Sequence, residues 1–129
     1  MINYGTKEQL KEQLLYKRII KWAGDCLELE DGTIVTIEES EQDCCASAGG
    51  EFKDVKLDAV ITDVEFGEPE VVEGDEDFGE FTMRNTVTIY HNQNPIAIAD
   101  CEADAGNGGY YYSVCSLVIK NVHYKVVEA

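Results

Sequence analysis

The sequence predicts an α+β fold, a mainly antiparallel β-sheet with one N-terminal helix packed on it. Three observations carry that expectation. One capped segment with an apolar face opens the chain, and most of the remaining residues fall in runs of β-branched and aromatic side chains. Short Gly-, Asn- and Asp-containing strings separate those runs at hairpin spacing. The 129 residues fit a single domain, taken as 1–129, and a hydrophobic fraction of 44% suffices for one core.

Thr6 followed by Gln9 has the form of a capping box, and Leu10, Leu14 and Leu15 are spaced for one helical face. A helix is expected over residues 7–16, then a strand entry over 18–22. In residues 26–37, Asp31-Gly32 is a favoured type I′ pair, since both residue types tolerate positive φ. A two-residue loop there places Leu29 opposite Ile34, with Val35 and Ile37 on the other face. Residues 38–50 read as an irregular, tight connection ending in Gly49-Gly50. Strand character returns over 55–66, with Leu57, Val60, Ile61 and Val64 as core residues.

From Glu65 to Glu80, eight of sixteen positions are acidic and none is basic, which reads as a solvated loop over 65–80. The last third alternates as strands. Residues 81–91, a turn at 92–95, a return strand over 96–101, a turn at 105–109 and a long strand over 110–122 form an expected antiparallel meander. A tail strand continues to 127.

Twenty-six acidic residues face ten basic ones, for a net charge of −16. A surface this negative repels nucleic-acid phosphates and anionic lipid, so no direct nucleic-acid or membrane partner is expected. Mimicry of DNA is allowed by the charge without being established by it. No apolar run approaches the roughly 20 residues that span a bilayer. Residues 1–11 lack the apolar core of a secretory signal, so a cytoplasmic location is expected. Five cysteines, two of them adjacent, make a poor disulfide framework, and Cys26, Cys101 and Cys115 are expected as buried thiols.

Small residues, thiols and aromatics concentrate in two strings, which together form the candidate binding patch: Asp43, Cys44 and Cys45 with Asn107, Tyr110, Tyr111 and Tyr112. A thiolate nucleophile needs a nearby base or positive end, and His91 and His123 lie far away in sequence. Adjacent cysteines in extended chain point to opposite faces and do not share a zinc ion as C-x-x-C does. Residues 100–111 carry alternating acids, but Ala105 and Tyr111 stand where a calcium loop needs Gly and Glu. Ser113 and Ser116 have no G-x-S-x-G context. No catalytic residue, metal ligand or cofactor is therefore assigned. The three tyrosines can stack on a ligand or pack across strands.

Five strings in order, Asp31-Gly32, residues 42–46, 57–63, 90–95 and 107–113, resemble a family of small phage and prophage proteins of unknown function. The resemblance runs from about residue 19 to 119. It supplies a context and no catalytic residues. It implies an accessory protein made in the bacterial cytoplasm that binds a host, phage or defence protein. The alternatives are a sponge for a nucleotide-like ligand, a structural virion or assembly protein, and a thiol- or metal-dependent enzyme. A sponge requires free cations, and Arg84 with the group from Lys17 to Lys21 are the evident ones. An enzyme requires that Cys44 or Cys45 be indispensable. An inhibitor tolerates Cys→Ser changes.

Overall fold

The structure, a computed structural model, describes residues 2–43, 45–75, 80–106 and 111–129; Cys44, Asn107 and Tyr110 of the expected patch lie outside them. One helix, α1 (Lys7–Leu14), precedes β1 (Ile19–Ala23), β2 (Cys26–Leu29), β3 (Ile34–Gln42), β4 (Ala48–Lys53) and β5 (Asp63–Phe66). Then come β6 (Glu70–Asp75), β7 (Glu80–His91), β8 (Asn94–Asp104), β9 (Ser113–Ile119) and β10 (Val122–Glu128). The fold is α+β and mostly β, as the sequence predicts.

The capping box forms as read. Thr6 Oγ1 accepts from Gln9 N at 3.1 Å, and Gln9 Oε1 accepts from Thr6 N at 2.9 Å. Leu10 and Leu14 are fully buried. The helix stops before Tyr16, whose φ of 68° is left-handed and whose N–H turns away to Ile61 O.

The strands divide into two sheets, ordered β1-β2-β3-β9-β10 and β4-β8-β7-β5, with β6 also paired to β7. All these strand pairs are antiparallel. Leu27, Leu29, Val35, Ile37, Cys115, Leu117 and Ile119 of the first sheet share a core with Phe52, Val64, Val87, Ile89, Ala97, Ala99 and Cys101 of the second. Leu10, Leu14 and Ile61 belong to the same core. Burying this much aliphatic surface is the main stabilising term, at roughly 25 cal/mol per Å².

Several sequence expectations change. The turn at Asp31-Gly32 exists, but only Gly32 has positive φ, and Gly32 N bonds Leu29 O at 3.0 Å. Leu29 N then pairs with Thr33 O, so the loop holds three residues and the register moves by one. Leu27 sits opposite Val35, which puts Leu27, Leu29, Val35 and Ile37 on one buried face and leaves Ile34 42% exposed. A one-residue slip flips every side chain, which is why the turn type mattered.

The connection expected over 38–50 is largely strand, because β3 runs to Gln42 and β4 begins at Ala48. The acidic stretch is likewise not simply a loop: it contains the end of β5, all of β6 and the start of β7, paired through the backbone where composition argued for solvent. Leu57, expected in the core, is 49% exposed, whereas Ile61 and Val64 are buried.

The meander is broken after its first hairpin. β7 and β8 form the expected hairpin, but β9 leaves that sheet to pair with β3 and β10. The long third strand ends at Lys120-Asn121, both with positive φ, which turn β9 back as β10. Asn92-Gln93, with φ of 47° and 75°, makes the matching two-residue turn between β7 and β8.

Gln93 occupies a conformation that costs an L-residue about 1–2 kcal/mol, partly offset in a glycine by its looser unfolded chain. Gln93→Gly should stabilise the fold by about 0.5 kcal/mol, raising the melting temperature by about 2 °C. A lower melting temperature would contradict the turn.

Candidate functional site

Four strand ends converge where the sheets open: β3 finishes, β4 starts, β8 finishes and β9 starts. The turn after β3 is tied down locally, with Ala46 N bonding Asp43 O and Gln42 Nε2 bonding Ala46 O. Asp43 N then donates to Tyr112 O at 2.8 Å, joining the turn to the segment that leads into β9. Of the expected patch, the structure brings together Asp43, Cys45, Tyr111 and Tyr112. Gly106 locks this contact. Its φ is 68°, and a Cβ there would meet Tyr111 Cδ2 at 2.6 Å and Cys45 O at 2.7 Å. Cys45 is exposed and Tyr112 is 37% exposed, with the Tyr112 phenol donating to Glu128. That carboxylate bond, with burial, pushes the phenol up to about 12.

Asp104 and Ser47 extend the surface. Ser47 donates through N and Oγ to the two carboxylate oxygens of Asp104, at 3.0 and 2.9 Å, and Gly106 N donates to the same carboxylate. The buried Ser113 hydroxyl lies within hydrogen-bond reach of both backbone carbonyls, Ser47 O and Asp104 O. Beside them an open groove of about 550 Å³ crosses the outer face of the second sheet, lined by Ser47, Gly49, Gly50, Glu51, Thr82, Asp100, Glu102 and Asp104. Gly50 is required there, since a Cβ would collide with Asp100 O. The acids that alternate from Asp100 to Asp104 thus share one strand face, the physical content of a spacing that resembles a calcium loop only in one dimension.

Asp100 is the anchored member. Arg84 grips it with Nε at 2.6 Å and Nη2 at 2.9 Å, and Lys53 Nζ lies 3.0 Å away. The Arg84 fork holds the Asp100 carboxyl below its usual range, and Asp100 raises Arg84 in turn. Arg84 also reaches Glu70 at 3.7 Å. The remaining cations named as anion partners are engaged as well: Lys17 with Asp31, Arg18 with Glu30 and Lys21 with Glu28. The exposed Arg18–Glu30 pair is weak, whereas Lys17 closes to 2.9 Å on Asp31 and the Arg84 fork is geometrically strong. An anionic ligand has no uncommitted anchor among the cations named for it.

The thiols separate by environment. Cys101 and Cys115 are fully buried, one on each sheet, and their mutual hydrogen bond followed by burial pushes the Cys101 thiol far up, which disfavours the nucleophilic thiolate. Cys26 is half-buried and pushed up by burial and by Asp25 and Glu28. Both histidines are committed away from Cys45, His91 to Val60 O and His123 to Ser40 Oγ, each at 2.7 Å. Among the described residues, no three His, Cys, Asp or Glu side chains group as a metal site. Among them, too, no helix is long and apolar enough to cross a membrane.

Sequence reasoning missed Ser47, Asp104 and the Arg84–Asp100 fork, because each depends on β4 and β7 flanking β8. The Gly49-Gly50 pair was the available signal.

A family model described as a domain of unknown function, DUF7448, matches residues 12–118. The chain belongs to this family. Its span contains β1 to most of β9, and with them the whole convergence of strand ends. No curated protein and no solved structure matches the chain.

The Asp100 carboxyl titrates lower in the native state than unfolded, so its bonds stabilise the fold above the unfolded value of about 4 and fade as pH falls below it. With solvent screening, Asp100→Asn should cost about 1 kcal/mol at pH 7 in urea unfolding. That gap should narrow progressively below about pH 4. An equal gap at pH 7 and pH 3 would remove the fork as the cause.

Proposed function

We propose that this is a small acidic accessory protein, encoded by a phage and working in the bacterial cytoplasm, that acts by non-enzymatic binding to a host or anti-phage defence protein. The binding surface is the open end of the two sheets, where the exposed Tyr112 and Cys45 flank the Asp43 turn, with the acidic groove on the outer face of the second sheet. The observation that supports it most is the Asp43 N to Tyr112 O bond, which joins the acidic turn to the backbone of an exposed tyrosine whose phenol is held by Glu128. Aromatic anchors in such settings carry a large share of binding energy in protein interfaces. The high negative charge favours a basic partner surface and fast, salt-dependent association.

The pairing of Arg84, Lys17, Arg18 and Lys21 with carboxylates weighs against a sponge for nucleotide-like ligands. The position of both histidines away from Cys45 weighs against a thiol enzyme built from them.

Native mass spectrometry of the purified chain, before and after incubation with host lysate, should show a protein-sized increment. Tyr112→Ala should weaken that complex at least tenfold, about 1.4 kcal/mol, while shifting the melting temperature little. Cys45→Ser should leave both unchanged. A small-molecule increment, or full affinity in the Tyr112→Ala chain, would sink this reading.

A further inference from the structure

The outer edge of the first sheet carries a segment that precedes the helix. Residues 3–5 run parallel to β10, bridged between Tyr4 and His123. Gly5 N donates to His123 O at 2.9 Å, and His123 N donates to Asn3 O at 2.8 Å. The Tyr4 side chain then crosses the sheet. Lys125 Nζ lies 5.2 Å from its ring centroid, the His123 ring meets it edge-on at 6.2 Å, and its phenol donates to Glu41 on β3 at 2.5 Å.

His123 makes a parallel crossing, placing Nδ1 2.7 Å from the hydroxyl of Ser40, at the bulge in β3. Between β10 and β3 lies β9, so both side chains pass over it near Ser116, which pairs with Lys125 on one side and Glu38 on the other. Ser116 is fully buried and its Oγ has no hydrogen-bond partner.

An orphaned hydroxyl under a cover has a physical consequence. With the cover lifted, water satisfies it; with the cover closed, those bonds are forfeited. Closure is therefore weaker than its contacts alone imply. Lifting residues 3–5 frees the His123 N–H and C=O at the outer edge of β10, which is the backbone pattern that strand addition uses. The segment now seated there defines what fits: an extended backbone parallel to β10, an aromatic side chain across the sheet, and then glycine. A Cβ on Gly5 would stand 2.5 Å from Tyr124 Cε1.

We propose that residues 3–5 are a releasable strap, and that the surface beneath them is a second binding site, for an extended partner peptide carrying Tyr or Phe followed by Gly. This site lies on the outer face of the first sheet, next to the Glu128 carboxylate that holds the Tyr112 phenol, and it rests on the β10 edge and Ser116 rather than on the open-end reading.

The test uses the full chain as wild type, Tyr4→Ala and Ser116→Ala. The probe is a fluorescent peptide, Ile-Asn-Tyr-Gly-Thr, with a control in which its tyrosine is alanine. Tyr4→Ala should take up the peptide at least tenfold more tightly than wild type, and the control peptide should not bind. Ser116→Ala relieves the orphan in the closed state, so amide exchange at Gly5 should slow severalfold. Equal peptide uptake by wild type and Tyr4→Ala would overturn the proposal. Unchanged or faster Gly5 exchange in Ser116→Ala would overturn it as well, and that readout decides alone if Tyr4→Ala fails to fold.

Discussion

Everything else in the structure depends on covering β9 from both sides. All seven of its residues, Ser113–Ile119, are buried, although it belongs to a sheet only one face of which meets the core. Cys115, Leu117 and Ile119 point inward, toward the second sheet. Val114, Ser116 and Val118 point outward, and a strand buried on both faces needs a cover there. The Tyr4 and His123 side chains reach across that face to Glu41 and Ser40 on β3. The beginning of the chain and its last strand are thereby tied to the same central element.

That constraint also positions the open end. β8 ends in the second sheet at Asp104 and β9 begins in the first at Ser113, on opposite sides of the gap between the sheets. The turn after β3 crosses the same gap into β4, and the two crossings brace each other through Asp43 N to Tyr112 O, Ser47 to Asp104 and the Ser113 hydroxyl. Backbone bonds and short polar side chains carry this bracing. Tyr112 and Cys45 are consequently left facing outward, and a rigid exposed aromatic loses little entropy when a partner covers it.

Local chemistry was legible in the sequence and long-range pairing was not. The Thr6–Gln9 capping box, Leu10 and Leu14 were readable because a helix cap is settled within four residues. The turns at residues 31–32 and 92–95 were readable for the same reason, but the type of the first was not, since Asp31 tolerates several conformations. That ambiguity was enough to misplace Ile34. The acidic run over 65–80 reads as loop by composition, whereas β7 supplies backbone partners that composition cannot reveal. The two strings of the patch were visible as strings; that Asp43 and Tyr112 meet depends on β9 pairing with β3, at a sequence separation that no periodicity encodes. Ser116 has no hydrolase motif around it, and its interest lies instead in burial, which a sequence does not display.

The most direct test of the central claim, that partners engage the converging strand ends, is amide hydrogen exchange of the chain with and without a captured partner. The account predicts added protection confined to residues 43–47, 102–106 and 111–113, with β1 and β2 unchanged. Protection falling on β1 and β2, with the strand ends exchanging as in the isolated chain, would contradict it.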